Sequence, residues 1–134
     1  MQHITKKPNI IIVDDNNIFL KGIKLIMTIE NIANVIGVAS NGQEFLELLS
    51  TTKPDLVFMD IEMPVMNGLD ATEKAIEINP DIKIIAFTMF GEDYYFIKML
   101  ELGVKGYIMK SADITEIENA IKIVMGGEKY FSHN

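Results

Sequence analysis

The chain contains no cysteine and no arginine, and its two histidines, His3 and His133, sit near its ends. Without cysteine there is neither a disulfide framework nor a thiolate metal site, which agrees with a reducing compartment. Histidine confined to the termini all but excludes imidazole-based catalysis or metal binding. Nineteen acidic residues against twelve lysines leave a formal net charge of −7. The segment therefore offers no cationic face for a phosphate backbone, and any DNA contact has to come from elsewhere. Apolar runs never exceed four residues, Ile10 to Val13 among them, far below the roughly 20 that span a bilayer. The first ten residues also lack the apolar stretch of a signal peptide. No membrane contact and a cytoplasmic location are the expectation.

What is present points to one folded domain. Hydrophobic residues make up 49% of the 134 and charged ones 23%, the profile of a soluble domain that buries about two-thirds of its unfolded surface. Short apolar runs alternate with longer stretches of helical period, with no repeat or internal linker. Asn9 to Val13 is largely β-branched, as a parallel strand buried on both faces requires. Asn17 to about Glu30 follows, with Phe19, Ile23 and Ile26 at helical spacing. Ala33 to Ala39 is a second strand closed by Ser40-Asn41-Gly42, and Gln43 to Ser50 a short helix with Phe45, Leu46 and Leu49 on one side. Leu56 to Met59 is a third strand. Met63-Pro64-Val65-Met66-Asn67-Gly68 is a loop, since Pro64 lacks an N–H and Asn-Gly tolerates turn geometry, and a helix runs from about Leu69 to Asn79. Ile82 to Phe87 and Lys105 to Met109 are the fourth and fifth strands. Between them lies a helix from Glu92 to Leu102, capped by Gly103. Ile114, Ile117, Ile121 and Val124 trace a last helix up to Gly126-Gly127. Five β/α units imply an α/β fold, a five-stranded parallel sheet with helices on both faces.

In such sheets ligands gather beyond the carboxyl ends of the strands. Four of the five strands finish in residues suited to phosphate chemistry, namely Asp14 and Asp15, Asp60, Thr88, and Lys110. Each alone has an ordinary reading. A strand-end aspartate is usually a turn former or helix cap, a lone threonine a β-branched strand residue, a lone lysine a solvated charge. Their joint placement carries the weight. Three carboxylates at close range repel in a low dielectric, so raised pKa values or bound cations must offset them. Oxygen donors without His or Cys favour Mg²⁺ or Mn²⁺. Metal, ammonium and hydroxyl around a carboxylate nucleophile are the parts that disperse charge in phosphoryl transfer.

Ile11-Ile12-Val13-Asp14-Asp15, Pro54-Asp55-Leu56-Val57-Phe58-Met59-Asp60-Ile61-Glu62-Met63-Pro64, Thr88 and Gly106-Tyr107-Ile108-Met109-Lys110 resemble, in order and spacing, the signature blocks of response-regulator receiver domains of two-component systems. The resemblance covers about Asn9 to Val124. It implies a CheY-like, flavodoxin-like (βα)5 fold and a single receiver over 1–134 with its core at about 9–125. It also implies that Asp60 is phosphorylated by a sensor histidine kinase or a small phosphodonor, with self-catalysed acceptance and slow loss of the group in place of enzymatic turnover. By position, Asp15 would bind Mg²⁺ directly and Asp14 mainly through water, with Asp60 and the backbone carbonyl of Glu62 completing the set. Lys110 would contact the phosphoryl oxygens, and Thr88 would hydrogen-bond one of them. Tyr107 matches the aromatic switch position, its ring turning into space that Thr88 vacates. The fourth helix belongs to the surface that would repack. Its Tyr94, Tyr95, Phe96, Met99 and Leu100 exceed one buried stripe, so about half are expected in the core and the rest in a partner patch. Three positions depart from the common pattern, the first being Asn16 directly after the acidic pair. Ser111 follows Lys110 where many receivers have proline with a cis bond, and Met89 follows Thr88 where many have a small residue, which predicts shading of the phosphoryl group from water.

Thr88-Met89-Phe90, Lys110-Ser111-Ala112-Asp113 and the ending Gly126-Gly127-Glu128-Lys129-Tyr130-Phe131-Ser132 resemble the NarL/FixJ (LuxR-type) subfamily. Its members usually continue through a linker into a helix-turn-helix DNA-binding domain. The resemblance implies that 126–134 open a linker to an output domain outside this chain, that the output is transcription, and that homodimerisation on phosphorylation is open to it. A stand-alone receiver that relays phosphate or docks on a partner is the alternative. Two other classes share parts of the pattern. An aspartyl phosphatase or phosphomutase would use Glu62, two residues after Asp60, as second acid, but its substrate-capping insertion is missing. A flavodoxin-type binder needs a phosphate-cradling loop, and Asp14-Asp15-Asn16-Asn17 is acidic and free of glycine.

Overall fold

The computed structural model describes residues 7–89 and 91–132, so His3, His133 and Phe90 lie outside the described residues. In chain order the elements are β1 (Asn9–Val13), α1 (Asn17–Ile29), β2 (Asn34–Ala39), α2 (Gly42–Leu49), β3 (Leu56–Met59), α3 (Gly68–Ile78), β4 (Ile84–Thr88), α4 (Asp93–Leu102), β5 (Gly106–Met109), α5 (Ile114–Met125) and β6 (Tyr130–Phe131). The strands form one parallel sheet in the order β2-β1-β3-β4-β5-β6.

Alternation along the central strands decides the layers. Ile10, Ile12, Phe58, Ile85, Phe87 and Ile108 turn to one face, where Leu20, Ile23 and Met27 of α1 and Ile117, Ile121 and Val124 of α5 cover them. Ile11, Val13, Val57, Met59, Ile84 and Tyr107 turn to the other, against Phe45 of α2, Ala71 and Ala75 of α3, and Met99 of α4. Burial on both faces is what the continuous apolar runs in β1, β3 and β4 require. The edge strand β2 instead alternates between exposed and half-buried positions until Ala39.

Four helices begin with a side-chain cap just beyond a strand or loop. Asn16, Asn41, Asn67 and Asp113 accept from the backbone N–H of Phe19, Glu44, Asp70 and Glu116 at 3.0, 2.9, 2.9 and 2.9 Å. Each satisfies an orphan donor and contributes about 1 kcal/mol. Helix α4 starts at Glu92 without such a cap. None of the described helices is long and apolar enough to cross a membrane.

The structure corrects the sequence expectation at two places. The sheet has six strands, because residues 130–131, expected to lie in a linker, pair in parallel with β5. Gly127, at φ 96°, turns the chain back after α5. The Tyr130 N–H then donates to Lys105 O at 3.0 Å and the Ser132 N–H to Tyr107 O at 2.8 Å, while the Tyr130 hydroxyl donates to Glu116 Oε2 at 2.8 Å. Secondly, the buried stripe of α1 is Leu20, Ile23 and Met27. Phe19 is half-buried and Ile26 is 40% exposed, so the helix is rotated relative to the expected face. In α4 about half of the apolar residues join the core as expected: Met99 is fully buried and Tyr95 and Phe96 pack against the same cluster, while Tyr94 and Ile97 are exposed.

The loop between β3 and α3 is held by backbone contacts. The Gly68 N–H donates to Ile61 O at 2.7 Å, the Gly42 N–H to Met66 O at 2.8 Å, and the Met66 N–H to Pro64 O at 2.7 Å. The last bond spans a tight turn with Val65 at φ 68°, a conformation that costs a β-branched residue on the order of 1–3 kcal/mol. At Gly68 an added Cβ would lie 1.9 Å from the backbone oxygen of Asp60. Backbone cannot yield as a flexible side chain does, so Gly68→Ala is expected to destabilise the protein by on the order of 2–3 kcal/mol, read as a lowered urea midpoint at constant slope.

Candidate functional site

The carboxyl edge of the sheet gathers residues from four strands. Asp14 follows β1 and is buried, its N–H donating to Ala39 O at 2.9 Å and its Oδ1 accepting from the Asn16 N–H at 2.8 Å. Asp60 follows β3 and is 6% exposed; its N–H donates to Val13 O at 2.9 Å and its Oδ1 accepts from the Ile61 N–H at 2.8 Å. Thr88, the last residue of β4, is fully buried. Lys110 follows β5, its N–H donating to Thr88 O at 2.8 Å. Parallel pairing thus fixes the four backbones side by side.

The side chains converge. Lys110 Nζ lies 2.5 Å from Asp14 Oδ2 and 3.2 Å from Asp60 Oδ2, with all three side chains nearly buried. Asp15 is exposed, yet carboxylate oxygens of Asp14, Asp15 and Asp60 lie within 4.8 Å of one another. One ammonium faces three carboxylates, so the pocket is short of positive charge. Burial, followed by the charge of Asp14, pushes the Asp60 carboxyl from 3.8 up to about 6 against the opposing pull of Lys110. Hard oxygen donors, an uncompensated negative charge and one exposed ligand fit a small divalent cation such as Mg²⁺.

These strand-end residues belong to a stretch that matches the description "Response regulator receiver domain" over residues 10–122. The chain is a member of that family. It is similar to the response regulator GacA of Pseudomonas viridiflava, 37% identical over 123 residues that cover 92% of this chain and 58% of that protein. It is also similar to the transcriptional regulatory protein DegU of Brevibacillus brevis, 33% identical over 124 residues, 92% of this chain and 52% of that one. The crystal structure of a LuxR-family two-component response regulator from Aurantimonas sp. SI85-9A1 superposes with a TM-score of 0.87 at 29% identity, covering 93% of this chain and 89% of that one. The chain therefore spans about half the length of the curated relatives it matches. It is the receiver domain of a two-component response regulator whose relatives are transcriptional regulators of the NarL/FixJ, LuxR type. Receivers of this kind are not enzymes in the usual sense, and they bind Mg²⁺ at an acidic pocket.

Within the receiver, Asp14, Asp15, Asp60 and Lys110 come together, and Thr88 sits one strand from Lys110. The Glu62 side chain is exposed and stands outside the carboxylate cluster. Its charge acts on Tyr95, whose hydroxyl it pushes up as the leading cause. Tyr107 is fully buried, its ring meeting Phe96 edge-on at 5.0 Å and 88°. Burial, then Glu92, pushes its hydroxyl up to about 12. Met89 is 67% exposed. The Lys110–Ser111 peptide is trans, as are all described peptides.

Three contributors escaped the sequence reading. The Ile61 N–H that binds Asp60 is a backbone group, with no side-chain signature. Asn16, noted only as the residue after the acidic pair, caps α1 and donates its N–H to Asp14. Phe19, read only as one of three apolar residues at helical spacing, places its ring under the Lys110 ammonium, 4.6 Å from centroid to Nζ.

The raised Asp60 value sets a pH dependence. In the metal-free folded protein Asp60 holds its proton up to about pH 6, whereas the unfolded chain releases it near 3.8. The folded state binds more protons across that window, so this group's contribution falls as pH rises from about 4 to 6 and stays low above. Asp60→Asn removes it. Urea titrations without metal should find the two proteins alike near pH 4 and Asp60→Asn more stable by roughly 2–3 kcal/mol at pH 7.

Proposed function

We propose that Asp60 is the phospho-acceptor of this receiver and that Asp14, Asp15, Thr88 and Lys110 serve its phosphorylation. The observation that carries the reading is the buried Asp60 carboxylate with Lys110 Nζ at 3.2 Å and two further carboxylates within 4.8 Å. A carboxylate oxygen of Asp60 bonds to phosphorus while the bond from phosphorus to the donor's nitrogen or oxygen breaks, and the donor leaves with that electron pair. Asp14, Asp15, Asp60 and the backbone carbonyl of Glu62 would hold Mg²⁺, or Mn²⁺, which when bound would supply positive charge to offset that of the phosphoryl group in transfer. Lys110 shifts its ammonium from Asp14 toward the phosphoryl oxygens, and the Thr88 hydroxyl donates to one of them. Tyr107, which pairs across the sheet with Ala86, two residues before Thr88, is the switch. Its ring already lies inside, so the modification acts by holding Thr88 and Tyr107 in one arrangement against others.

The donor in this reading is a sensor histidine kinase, in the cytoplasm, and phosphorylation permits homodimerisation. Residues 126–134 lead toward an output domain outside this chain, a helix-turn-helix domain that binds DNA and controls transcription, in keeping with transcriptional relatives about twice as long in aligned terms.

Incubation with acetyl phosphate and Mg²⁺ followed by intact mass should add one phosphoryl group to the protein and none to Asp60→Asn. Equal labelling of both would overturn the assignment. Chelation of the metal should abolish labelling. Asp15→Asn, which removes the exposed ligand, should weaken Mg²⁺ binding by about tenfold or more, read as the Mg²⁺ concentration needed to raise the melting temperature.

A further inference from the structure

Lys110 carries three N–H donors on a flexible stem that loses much rotamer freedom when fixed. Asp14 and Asp60 occupy two sides of the ammonium at 2.5 and 3.2 Å. A third side faces the Phe19 ring, whose centroid is 4.6 Å from Nζ, within the distance at which a ring quadrupole attracts a cation. The position of Phe19 follows from the site itself. Its N–H is the donor that Asn16 caps, so the turn carrying Asp14 and Asp15 also sets this ring. Behind it the ring leans on Phe87 at 5.3 Å and 54°, and Phe87 leans on Phe58 at 5.3 Å and 43°. This aromatic row, running into β4 and β3, fixes the ring from the core side.

We propose that Phe19 is a positioning residue for Lys110, its ring face retaining the ammonium in the pocket when the carboxylates are otherwise engaged. The inference rests on the reading of Asp60 as phospho-acceptor. Its physical content is that the two kinds of partner respond differently to occupancy. Carboxylates that coordinate a cation or carry a phosphoryl group lose attraction for Lys110, whereas a ring neither titrates nor ligates a hard cation. Phe19 thus keeps Lys110 near Asp60 while Asp14 releases it, and the ammonium is in place for the phosphoryl oxygens. An aliphatic side chain of similar size would fill the volume and exclude water but offer no such attraction.

Phe19→Leu and Phe19→Tyr separate the two. The ring-current displacement of the Lys110 ε-methylene protons, read by NMR with and without Mg²⁺, should be present in the native protein and in Phe19→Tyr and absent in Phe19→Leu. With acetyl phosphate at saturating Mg²⁺, Phe19→Leu should be phosphorylated about tenfold more slowly, and Phe19→Tyr within about twofold of the native rate. Native-rate labelling of Phe19→Leu, equal slowing of both variants, or loss of the native ring-current displacement on adding Mg²⁺ would overturn the proposal. If the native protein takes no phosphoryl group at all, the reading of Asp60 fails, and the NMR comparison still decides whether Phe19 holds Lys110.

Discussion

The Lys110 ammonium lies between two buried carboxylates at the carboxyl edge of the sheet, and it is the constraint on which the site depends. Asp14, Asp60 and Lys110 arrive at the ends of β1, β3 and β5, from positions 14, 60 and 110 of the chain, and meet across the intervening β4. Burying either acid without the cation would cost several kcal/mol, and the cation alone leaves the cluster under-neutralised. The fold holds three like charges together through backbone hydrogen bonds that no charge change can release. The strand ends are set by the ladder, and the acids follow. The resulting deficit is the working property of the pocket, because it favours a divalent cation and keeps Asp60 sensitive to whatever neutralises it.

Much of this was legible in the sequence because parallel strands buried on both faces leave an unusually clear trace. Continuous apolar runs ending in Asp14, Asp60 and Thr88 give both the strands and the edge where their last residues meet. What escaped has physical reasons. A two-residue strand such as β6 is too short for any periodicity, and Gly126-Gly127 before it reads as an ending. The orientation of α1 depends on a rotation of one position, which moves Phe19 from the core to its border and Ile26 to solvent. Apolar spacing alone does not distinguish these settings, since Phe19, Leu20, Ile23, Ile26 and Met27 all lie within reach of one broad face. The excess of apolar residues on α4, and its division between core and surface, was legible.

The β3–α3 loop is the other rigid part of the site. Val65 holds a left-handed backbone that a β-branched residue adopts only under constraint, between Pro64 and a Met66 whose carbonyl is tied to Gly42. Gly68 then passes so close to Asp60 that no side chain fits. The strain is local, while its benefit is shared: the carbonyls after Asp60 are presented from a segment with few ways to move. A site that must recognise a small change of charge gains from such stiffness, because little of the interaction energy is spent on ordering the loop.

The sixth strand ties the route by which the chain leaves the sheet to the interior. Ser132 bonds the carbonyl of Tyr107, and Phe131 meets Phe96 at 6.2 Å, which in turn meets the Tyr107 ring at 5.0 Å. Backbone and rings thus give two parallel mechanical links between a fully buried tyrosine and the outermost strand. In such an arrangement β6 is a brace on Tyr107, gripping its carbonyl directly and its ring through Phe96.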